Sequence, residues 1–346
     1  MGESWDCVVV GGGFAGLACA RSAAARGLSV LVLESKPDVG ARPHTTGLLW
    51  PAVRDAWSVP PRRTCALRVV RLYSPSLDSI DLDSMGVAFF ATDLPGLLRW
   101  LADDARTAGA KVRTGVCWNG DHPRCRFLVG ADGPRSRVAE LSRLGRNREF
   151  LVGVEAEYEG VRGLEEGVLH CFLDSELAPG YVGWVVSGCG ITHVGLAARR
   201  PHAVSLESFE RRISVLFDLG GAHVIERRGG LFPIGGPVTP WAGEGVLLVG
   251  DAAGFTSPLT GGGIARALKC GDLAGNAIAD HLIAGSPHPA ERLAAGIPQV
   301  PWRSLLRWVL DLGPPNRLMD AAIHQSWFRF LARSLLFAST RRRRET

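Results

Sequence analysis

Closely spaced glycines near the start of the chain have a pattern that could bind a dinucleotide. Gly11, Gly13 and Gly16 form G-x-G-x-x-G, and the same segment contains Phe14 and Ala15. In such a loop the first glycine permits a tight turn, the second lets a diphosphate approach the backbone, and the third lets a helix pack on a strand. The N–H groups at the helix start favour phosphates. We expect all five residues to contact the cofactor.

The elements that must position this loop can be read on either side of it. Residues 7–10 form an apolar run, an alanine-rich helical segment reaches about residue 26, and a second apolar run ends at Glu34. This order predicts a β-α-β unit. Glu34 is placed to accept hydrogen bonds from ribose hydroxyls, and an acid there disfavours the 2′-phosphate of NADP. The sequence therefore predicts a site for FAD or NAD.

Two further glycine-rich stretches decide between these cofactors. One is the Gly-Ala-Asp-Gly turn at 130–133, which contains Asp132, and the other is GDAAGFTSPLTGGG at 250–263. Together with the first loop they resemble the flavoprotein superfamily of p-hydroxybenzoate hydroxylase, and within it the geranylgeranyl reductase family. The resemblance implies an α/β fold: a Rossmann-like FAD-binding domain, an antiparallel-sheet substrate domain and C-terminal helices.

The resemblance also assigns roles within the late motif and to Asp132, which we expect to contact FAD. In the family the aspartate of the Gly-Asp pair, here Gly250 and Asp251, holds a ribitol hydroxyl. The segment that contains Pro258, Gly261, Gly262 and Gly263 runs past the isoalloxazine ring. A helix that begins near residue 262 would direct N–H groups at the negative charge of a reduced flavin. An ordinary helix start after a proline turn is the alternative interpretation.

The family's basic residue for the FAD phosphates or ribose is not conserved at its expected position. Many relatives begin the helix before the 130–133 turn with an arginine, and the corresponding residue is Leu94. Arg99 is a possible substitute or a solvated helix residue. Arg42 is the better candidate for the adenosine side of the cofactor.

The candidate catalytic residues also depart from the family pattern. Geranylgeranyl reductases often have a Cys-Gly-rich turn near the flavin, where this chain has His44, Thr45 and Thr46. His44 could donate a proton, attach the flavin, or only hydrogen-bond within its loop. Trp184 matches the tryptophan of a Tyr-x-Trp strand that lies over the flavin in the family, and it could equally be a core residue.

The motifs divide the chain into three predicted regions. The FAD-binding domain is discontinuous and comprises residues 1–72, 92–150 and 240–285. Residues 73–91 and 150–240 form the substrate domain, with strands at 152–158, 168–173, 181–186 and 193–198 and a helix at 211–219. Residues 286–346 supply C-terminal helices and a basic tail.

Three functions remain open on the sequence. The first is an FAD-dependent reductase or dehydrogenase that moves a hydride between flavin N5 and a small apolar substrate, an isoprenoid, another alkene or a natural-product intermediate. The second is a single-component monooxygenase, and the third is a non-catalytic prenyl-binding module. A second dinucleotide fingerprint is absent from the sequence, so NAD(P)H must bind transiently or another protein must supply electrons.

Composition limits the partners and the location. The chain has 346 residues, 46% of them hydrophobic, and a net charge of +5. No apolar run approaches 18 residues, and basic stripes interleaved with aromatics are missing, so we expect a cytoplasmic protein that binds neither metal nor nucleic acid. Arginine greatly outnumbers lysine, which suggests a bacterial source. The aromatic-rich, arginine-containing segment 301–338 either caps the substrate domain or rests on an anionic membrane.

Overall fold

The computed structural model describes residues 4–256, 263–297, 311 and 313–341. Within it the chain forms two compact units. The first unit contains Met1–Pro43, Leu94–Phe150 and Phe232–Arg303, and the second contains His44–Asp93, Leu151–Leu231 and Ser304–Thr346.

A six-stranded, mainly parallel sheet forms the centre of the first unit. From one edge to the other its strands are Ala242–Gly243, Val246–Leu248, Cys125–Gly130, Trp5–Val10, Val30–Leu33 and Lys111–Arg113. Only the Ala242–Gly243 strand pairs antiparallel with its neighbour. The central strands are buried apolar runs, as expected for a parallel sheet covered on both faces.

Helices cover this sheet and pack closely on one another. They are Phe14–Ala25, Leu94–Thr107, Arg137–Leu141, Gly263–Ala284 and Pro289–Gly296, together with a 3₁₀ turn at Gly250–Ala253. A Cβ added to Gly271 would lie 2.1 Å from the carbonyl oxygen of Ala15, and one on Gly275 would lie 2.4 Å from that of Cys19. The helix that begins at Gly263 therefore packs directly against the backbone of the helix that begins at Phe14.

The second unit contains a seven-stranded sheet and a three-stranded sheet. In spatial order the large sheet has the strands His223–Pro233, Phe150–Glu159, Ile191–Arg199, Gly183–Gly188, Val168–Phe172, Val69–Tyr73 and Ser79–Asp83. The small antiparallel sheet has the strands Leu48–Leu49, Phe89–Thr92 and Thr64–Leu67. The helical segments are Pro51–Ala56, Pro61–Arg63, Leu206–Ile213, Asn316–Ala322 and Ser326–Arg341.

Apolar cores among the described residues hold the second unit together. Phe209 and Ile213 of the Leu206–Ile213 helix pack with buried residues of the large sheet, including Tyr158 and Leu196. Another core joins the small sheet to the C-terminal helices through residues such as Phe337. None of the described helices is long and apolar enough to span a membrane.

The β-α-β start and the four antiparallel strands agree with the sequence prediction, whereas several boundaries differ. Residues 44–72, expected in the FAD-binding domain, belong to the second unit because Val69–Tyr73 pairs with Val168–Phe172. Residues 232–239 and 286–303 group with the first unit. The helix expected at 211–219 is Leu206–Ile213, because Ser205 caps it by accepting a hydrogen bond from Ser208 N at 3.2 Å.

Candidate functional site

Two of the three loop glycines are required by the fold itself. Gly11 has a φ of +107°, and a Cβ there would lie 2.3 Å from the carbonyl oxygen of Ala131. A Cβ on Gly16 would lie 2.0 Å from the carbonyl oxygen of Gly11. Both contacts are impossible for a side chain, so these glycines let the loop close on the neighbouring turn.

Gly13 differs, because the described protein atoms leave its position open. Its φ of −84° and ψ of −174° suit any residue, and none of those atoms lies within 4 Å of a Cβ built there. Gly13 is the N-cap of the Phe14–Ala25 helix and gives it no side-chain cap. Phe14 and Ala15 bury their side chains in the first turn. The helix start thus has open space among the described residues and N–H groups without a partner inside the helix, which fits a diphosphate.

Glu34 is fixed beside this loop by backbone hydrogen bonds. It is 5% exposed, and its Oε2 accepts a hydrogen bond from Gly12 N at 2.6 Å. Its Oε1 accepts one from Lys36 N at 2.8 Å. Each carboxylate oxygen can accept a further hydrogen bond, so the predicted contact with ribose hydroxyls fits this geometry.

The two candidate arginines lie near the segment that follows Glu34. Arg99 forms a two-pronged ion pair with Asp38, with distances of 2.6 and 2.9 Å to Oδ2. The hydrogen bond from Arg99 lowers the pKa of Asp38. Arg42 is exposed, with a φ of +43°. Arg99 thus holds the loop to the helix, and a direct cofactor contact by either arginine stays a prediction.

Asp132 helps to cap the short Arg137–Leu141 helix, whose N-cap residue is Ser136. Its carboxylate accepts hydrogen bonds from Ser136 Oγ at 2.6 Å, Arg137 N at 2.7 Å and Val138 N at 3.0 Å. These bonds fix the turn that Gly11 touches. The capping role accounts for an aspartate here, and the predicted contact between Asp132 and the cofactor stays untested.

Asp251 is held at the end of the parallel strand Val246–Leu248. Gly250 has a φ of +59°, and a Cβ there would lie 2.8 Å from the Cβ of Ala15, so the turn touches the first helix. Asp251 Oδ1 accepts a hydrogen bond from Thr256 Oγ1 at 3.0 Å. Burial raises the pKa of Asp251. A carboxylate that loses its hydration by burial is stabilised when a ligand hydroxyl donates a hydrogen bond to it.

The glycine-rich segment after Asp251 is only partly described. Gly263 begins the Gly263–Ala284 helix, and a Cβ there would lie 3.9 Å from Asp251 Oδ1. Pro258, Gly261 and Gly262 lie outside the described residues. The first unit therefore brings together the loop at 11–16, Glu34, Asp251 and a second helix start.

In the second unit two of the four predicted catalytic residues, Thr46 and Trp184, bond to one buried carboxylate, and Thr45 and His44 lie near the strand that carries its partner Arg228. Glu155 Oε2 accepts hydrogen bonds from Thr46 Oγ1 at 2.6 Å and from Trp184 Nε1 at 2.8 Å. Arg228 donates to the carbonyl oxygen of Thr45 at 3.4 Å. His44 lies near Gly230, which is two residues beyond Arg228. A Cβ added to Gly230 would be 3.6 Å from the Cβ of His44.

Glu155 stays ionised although it is buried. It is 5% exposed and pairs with Arg228 and His193, whose Nδ1 lies 3.1 Å from Glu155 Oε1. Burial alone would raise the pKa of Glu155. The contacts from His193, Arg228 and Thr46 outweigh it and lower the pKa to about 2.

Arg228 also supplies the positive charge of this cluster. Its guanidinium pairs with Glu155 and with Glu157, which both lie on the Phe150–Glu159 strand. The two carboxylates and His193 could otherwise surround a metal ion. The guanidinium occupies the position between the carboxylates that a cation would take, so the cluster fits a structural hub.

A glycine in the neighbouring strand allows Trp184 to reach this hub. Trp184 pairs with Gly195, which in turn pairs with Glu155 in the next strand. A Cβ on Gly195 would lie 2.6 Å from the indole ring. The indole therefore crosses above Gly195, and its Nε1 bonds to Glu155.

Sequence reasoning missed Glu155, His193 and Arg228. The available signal was the pair of acids at 155 and 157, which alternate with apolar residues and so share one face of a predicted strand. Two carboxylates on the same face of a buried strand require a basic partner. The sequence does not say which of its many arginines that partner is.

Comparisons with known proteins identify the family of this chain. The family described as FAD dependent oxidoreductase (DAO) matches residues 6–193. Digeranylgeranylglycerophospholipid reductase 2 of Methanopyrus kandleri is 30% identical over 309 residues, which are 80% of this chain and 77% of that protein. The corresponding reductase of Methanocaldococcus jannaschii is 29% identical over 302 residues, with the same coverage.

A solved structure supports the fold. The crystal structure of a geranylgeranyl bacteriochlorophyll reductase-like protein from Thermoplasma acidophilum has a TM-score of 0.81 and 22% identity, and covers 99% of both chains. The fold and the cofactor site define an FAD-dependent oxidoreductase, and the chain is therefore an enzyme that uses FAD. Within that class, the chain belongs to the geranylgeranyl reductase family.

Proposed function

We propose that this enzyme reduces carbon–carbon double bonds of an apolar, isoprenoid-type substrate. The carrying observation is that the carboxylate of Glu155, which holds the indole of Trp184, is buried and paired with Arg228. Its oxygens are occupied by Arg228, Thr46 and Trp184, so the cluster is suited to positioning a substrate and not to carrying protons. Similarity to the archaeal reductases over 80% of this chain supports the substrate class.

The residues of each unit then have separate tasks. When bound, FAD supplies a hydride at N5. Gly13 admits the diphosphate and Gly11 and Gly16 let the loop take the required shape, while Glu34 and Asp251 accept hydrogen bonds from ribose and ribitol hydroxyls. This assignment makes the first unit the FAD-binding domain.

We assign substrate contact to the second unit. Trp184 presents an indole held by Glu155, and Thr45 and Thr46 are fixed by Arg228 and Glu155. His44 is exposed next to them and would donate the proton that completes reduction of the double bond. A nicotinamide nucleotide that binds transiently, or a donor protein, would supply the electrons.

The mass of the product tests the proposal. Protein loaded with FAD and reduced by dithionite under nitrogen is incubated with a geranylgeranyl lipid and analysed by mass spectrometry. A reductase yields products heavier by two hydrogens per reduced bond, without oxygen. A product that gains one oxygen atom, and only in air, would make the enzyme a monooxygenase.

We further propose that the C-terminal helix contacts an anionic membrane surface. Trp327, Phe330 and Leu331 are 60%, 68% and 42% exposed, at the i, i+3, i+4 spacing of one helix face. Arg329 and Arg333 are exposed beside them. An apolar face flanked by cations fits a surface of acidic phospholipids, from which a lipid substrate could enter.

Vesicle sedimentation tests this contact. A double variant, Trp327→Ser with Phe330→Ser, should lose binding to phosphatidylglycerol vesicles. Val215→Ser, which changes another exposed apolar residue of the same unit, should bind like the wild type. Equal binding by all three proteins, or by none, would contradict the proposal. A cytoplasmic location and a bacterial source also remain proposals; the composition supports the latter, although both relatives named above are archaeal.

A further inference from the structure

Two cysteines of the second unit lie in direct contact although they are 124 residues apart in sequence. Cys65 is on the Thr64–Leu67 strand of the small sheet, and Cys189 is in the turn between the Gly183–Gly188 and Ile191–Arg199 strands. Their Sγ atoms are 3.0 Å apart. A disulfide bond is about 2.05 Å long, so an approach of about 1 Å would join them.

The backbone, not side-chain flexibility, brings these sulfurs together. Cys189 N donates a hydrogen bond to Cys65 Sγ at 2.9 Å, and Cys189 has a φ of +55° in its tight turn. A Cβ on Gly188 would lie 2.4 Å from the Cβ of Ala91, the residue that pairs with Cys65. The turn therefore lies directly on the small sheet, which fixes the separation of the two thiols.

We propose that Cys65 and Cys189 form a reversible disulfide when the protein meets hydrogen peroxide. One thiol attacks the peroxide, the O–O bond breaks, and a sulfenic acid and one water form. The second thiol then displaces the hydroxyl group as a second water. Both S–H bonds are lost, one S–S bond forms, and the peroxide is reduced to two waters.

The surroundings of the two thiols indicate their order of reaction. The N–H of Cys189 points at Cys65 Sγ, where it stabilises negative charge as that sulfur attacks. Burial is the main reason that the pKa of Cys189 is raised to about 12, and the hydrogen bond with Cys65 is the second reason. Cys65 is therefore the attacking thiol, and Cys189 resolves the sulfenic acid.

The bond would fasten together two elements that carry the candidate catalytic residues. The small sheet includes Leu48–Leu49, which only Gly47 separates from Thr45 and Thr46, and Thr92 Oγ1 in the same sheet donates to the carbonyl oxygen of Gly47 at 2.7 Å. The hairpin on the other side carries Trp184. Closing so long a loop restricts the unfolded chain and should raise the Tm by roughly 5 °C or more.

Peptide mapping without reductant tests the proposal. The full-length protein is treated with hydrogen peroxide, its remaining thiols are alkylated, and the tryptic digest is analysed by mass spectrometry. We expect a cross-link between peptides 64–68 and 163–199 that dithiothreitol removes. Because the second peptide also contains Cys171, the pairing is assigned with variants.

The variants make the expected pattern specific. Cys65→Ser and Cys189→Ser should each abolish the cross-link and the rise in Tm, whereas Cys171→Ser and the exposed Cys117→Ser should retain both. Protein unfolded in urea should give little cross-link, because the fold supplies the proximity. Separate alkylation of Cys65 and Cys189 after peroxide treatment, with no linked peptide, would overturn the proposal.

Discussion

At the scale of single residues, the glycines of the dinucleotide loop are needed for different reasons. Some are required by the fold, and one has no such requirement. Gly11 and Gly16 are required because backbone atoms occupy the space of a side chain. Gly13 has an ordinary backbone conformation and described surroundings that a methyl group would not touch. We therefore propose that a ligand approaching the helix start is the reason for glycine at position 13.

We predict that Gly13→Ala folds normally and binds FAD at least about tenfold more weakly, because its methyl group enters the diphosphate space. Gly16→Ala is the matched comparison and should lose about 1–3 kcal/mol of unfolding free energy through overpacking. Urea unfolding of the FAD-free proteins and fluorescence titration with FAD separate the two effects. Equal destabilisation by both changes would show that Gly13 is needed only for folding.

The role that we propose for Asp251 in FAD binding carries a cost in stability. Burial raises its pKa in the folded state, so unfolding is favoured once the pH is high enough to ionise the carboxyl group. We predict that Asp251→Asn raises the unfolding free energy of the FAD-free protein at pH 7 and weakens FAD binding about tenfold or more. The gain in stability should vanish below pH 3.8, where Asp251 is protonated in both states. A variant that binds FAD normally would remove Asp251 from the site.

Glu155 has the opposite pH dependence. Its pKa falls from 4.5 to about 2 on folding, so its stabilising contribution is complete above pH 4.5 and is lost as the pH falls towards 2. We predict that Glu155→Gln costs about 3–5 kcal/mol at pH 7, because Arg228 loses a buried partner. The cost should shrink at pH 3. Glu159→Gln, exposed at the end of the same strand, is the control and should change stability little.

At the scale of elements, packing between two helices fixes the position of the dinucleotide loop. The helix that begins at Gly263 touches the helix that begins at Phe14 at Gly271 and Gly275, so the start of the first helix is held against the interior of the second. The sequence predicted the first helix from its glycine loop and its alanines. It placed another helix five residues too late, because the Ser205 cap lies outside the apolar run used for that prediction.

We predict that Gly271→Ala and Gly275→Ala each lower the unfolding free energy by about 1–3 kcal/mol. Each variant should also bind FAD more weakly. Alanine normally stabilises a helix interior relative to glycine by about 1 kcal/mol, so a loss would report the helix contact and not helix propensity. Gly86→Ala, where the described atoms leave space for a methyl group, is the control. Unchanged stability in both helix variants would contradict the packing account.

At the scale of the whole molecule, the sequence predicts features whose residues lie close together along the chain and misses those whose residues lie far apart. The dinucleotide loop, its flanking strands and Glu34 lie within thirty residues, so one β-α-β pattern contains them all. The Glu155 cluster combines Thr46, Trp184 and Arg228 from three distant segments. Only strand pairing brings them together, so local spacing cannot reveal the hub or the contact between Cys65 and Cys189.

The most direct test of the central claim is a single-turnover measurement without oxygen. FAD-loaded protein is reduced anaerobically and mixed with a geranylgeranyl lipid or with its fully saturated analogue, while the absorbance of oxidised flavin is followed. An isoprenoid reductase should reoxidise its flavin with the unsaturated lipid and not with the saturated one. Flavin that stays reduced with both lipids and reoxidises only when air is admitted would contradict the proposed reaction.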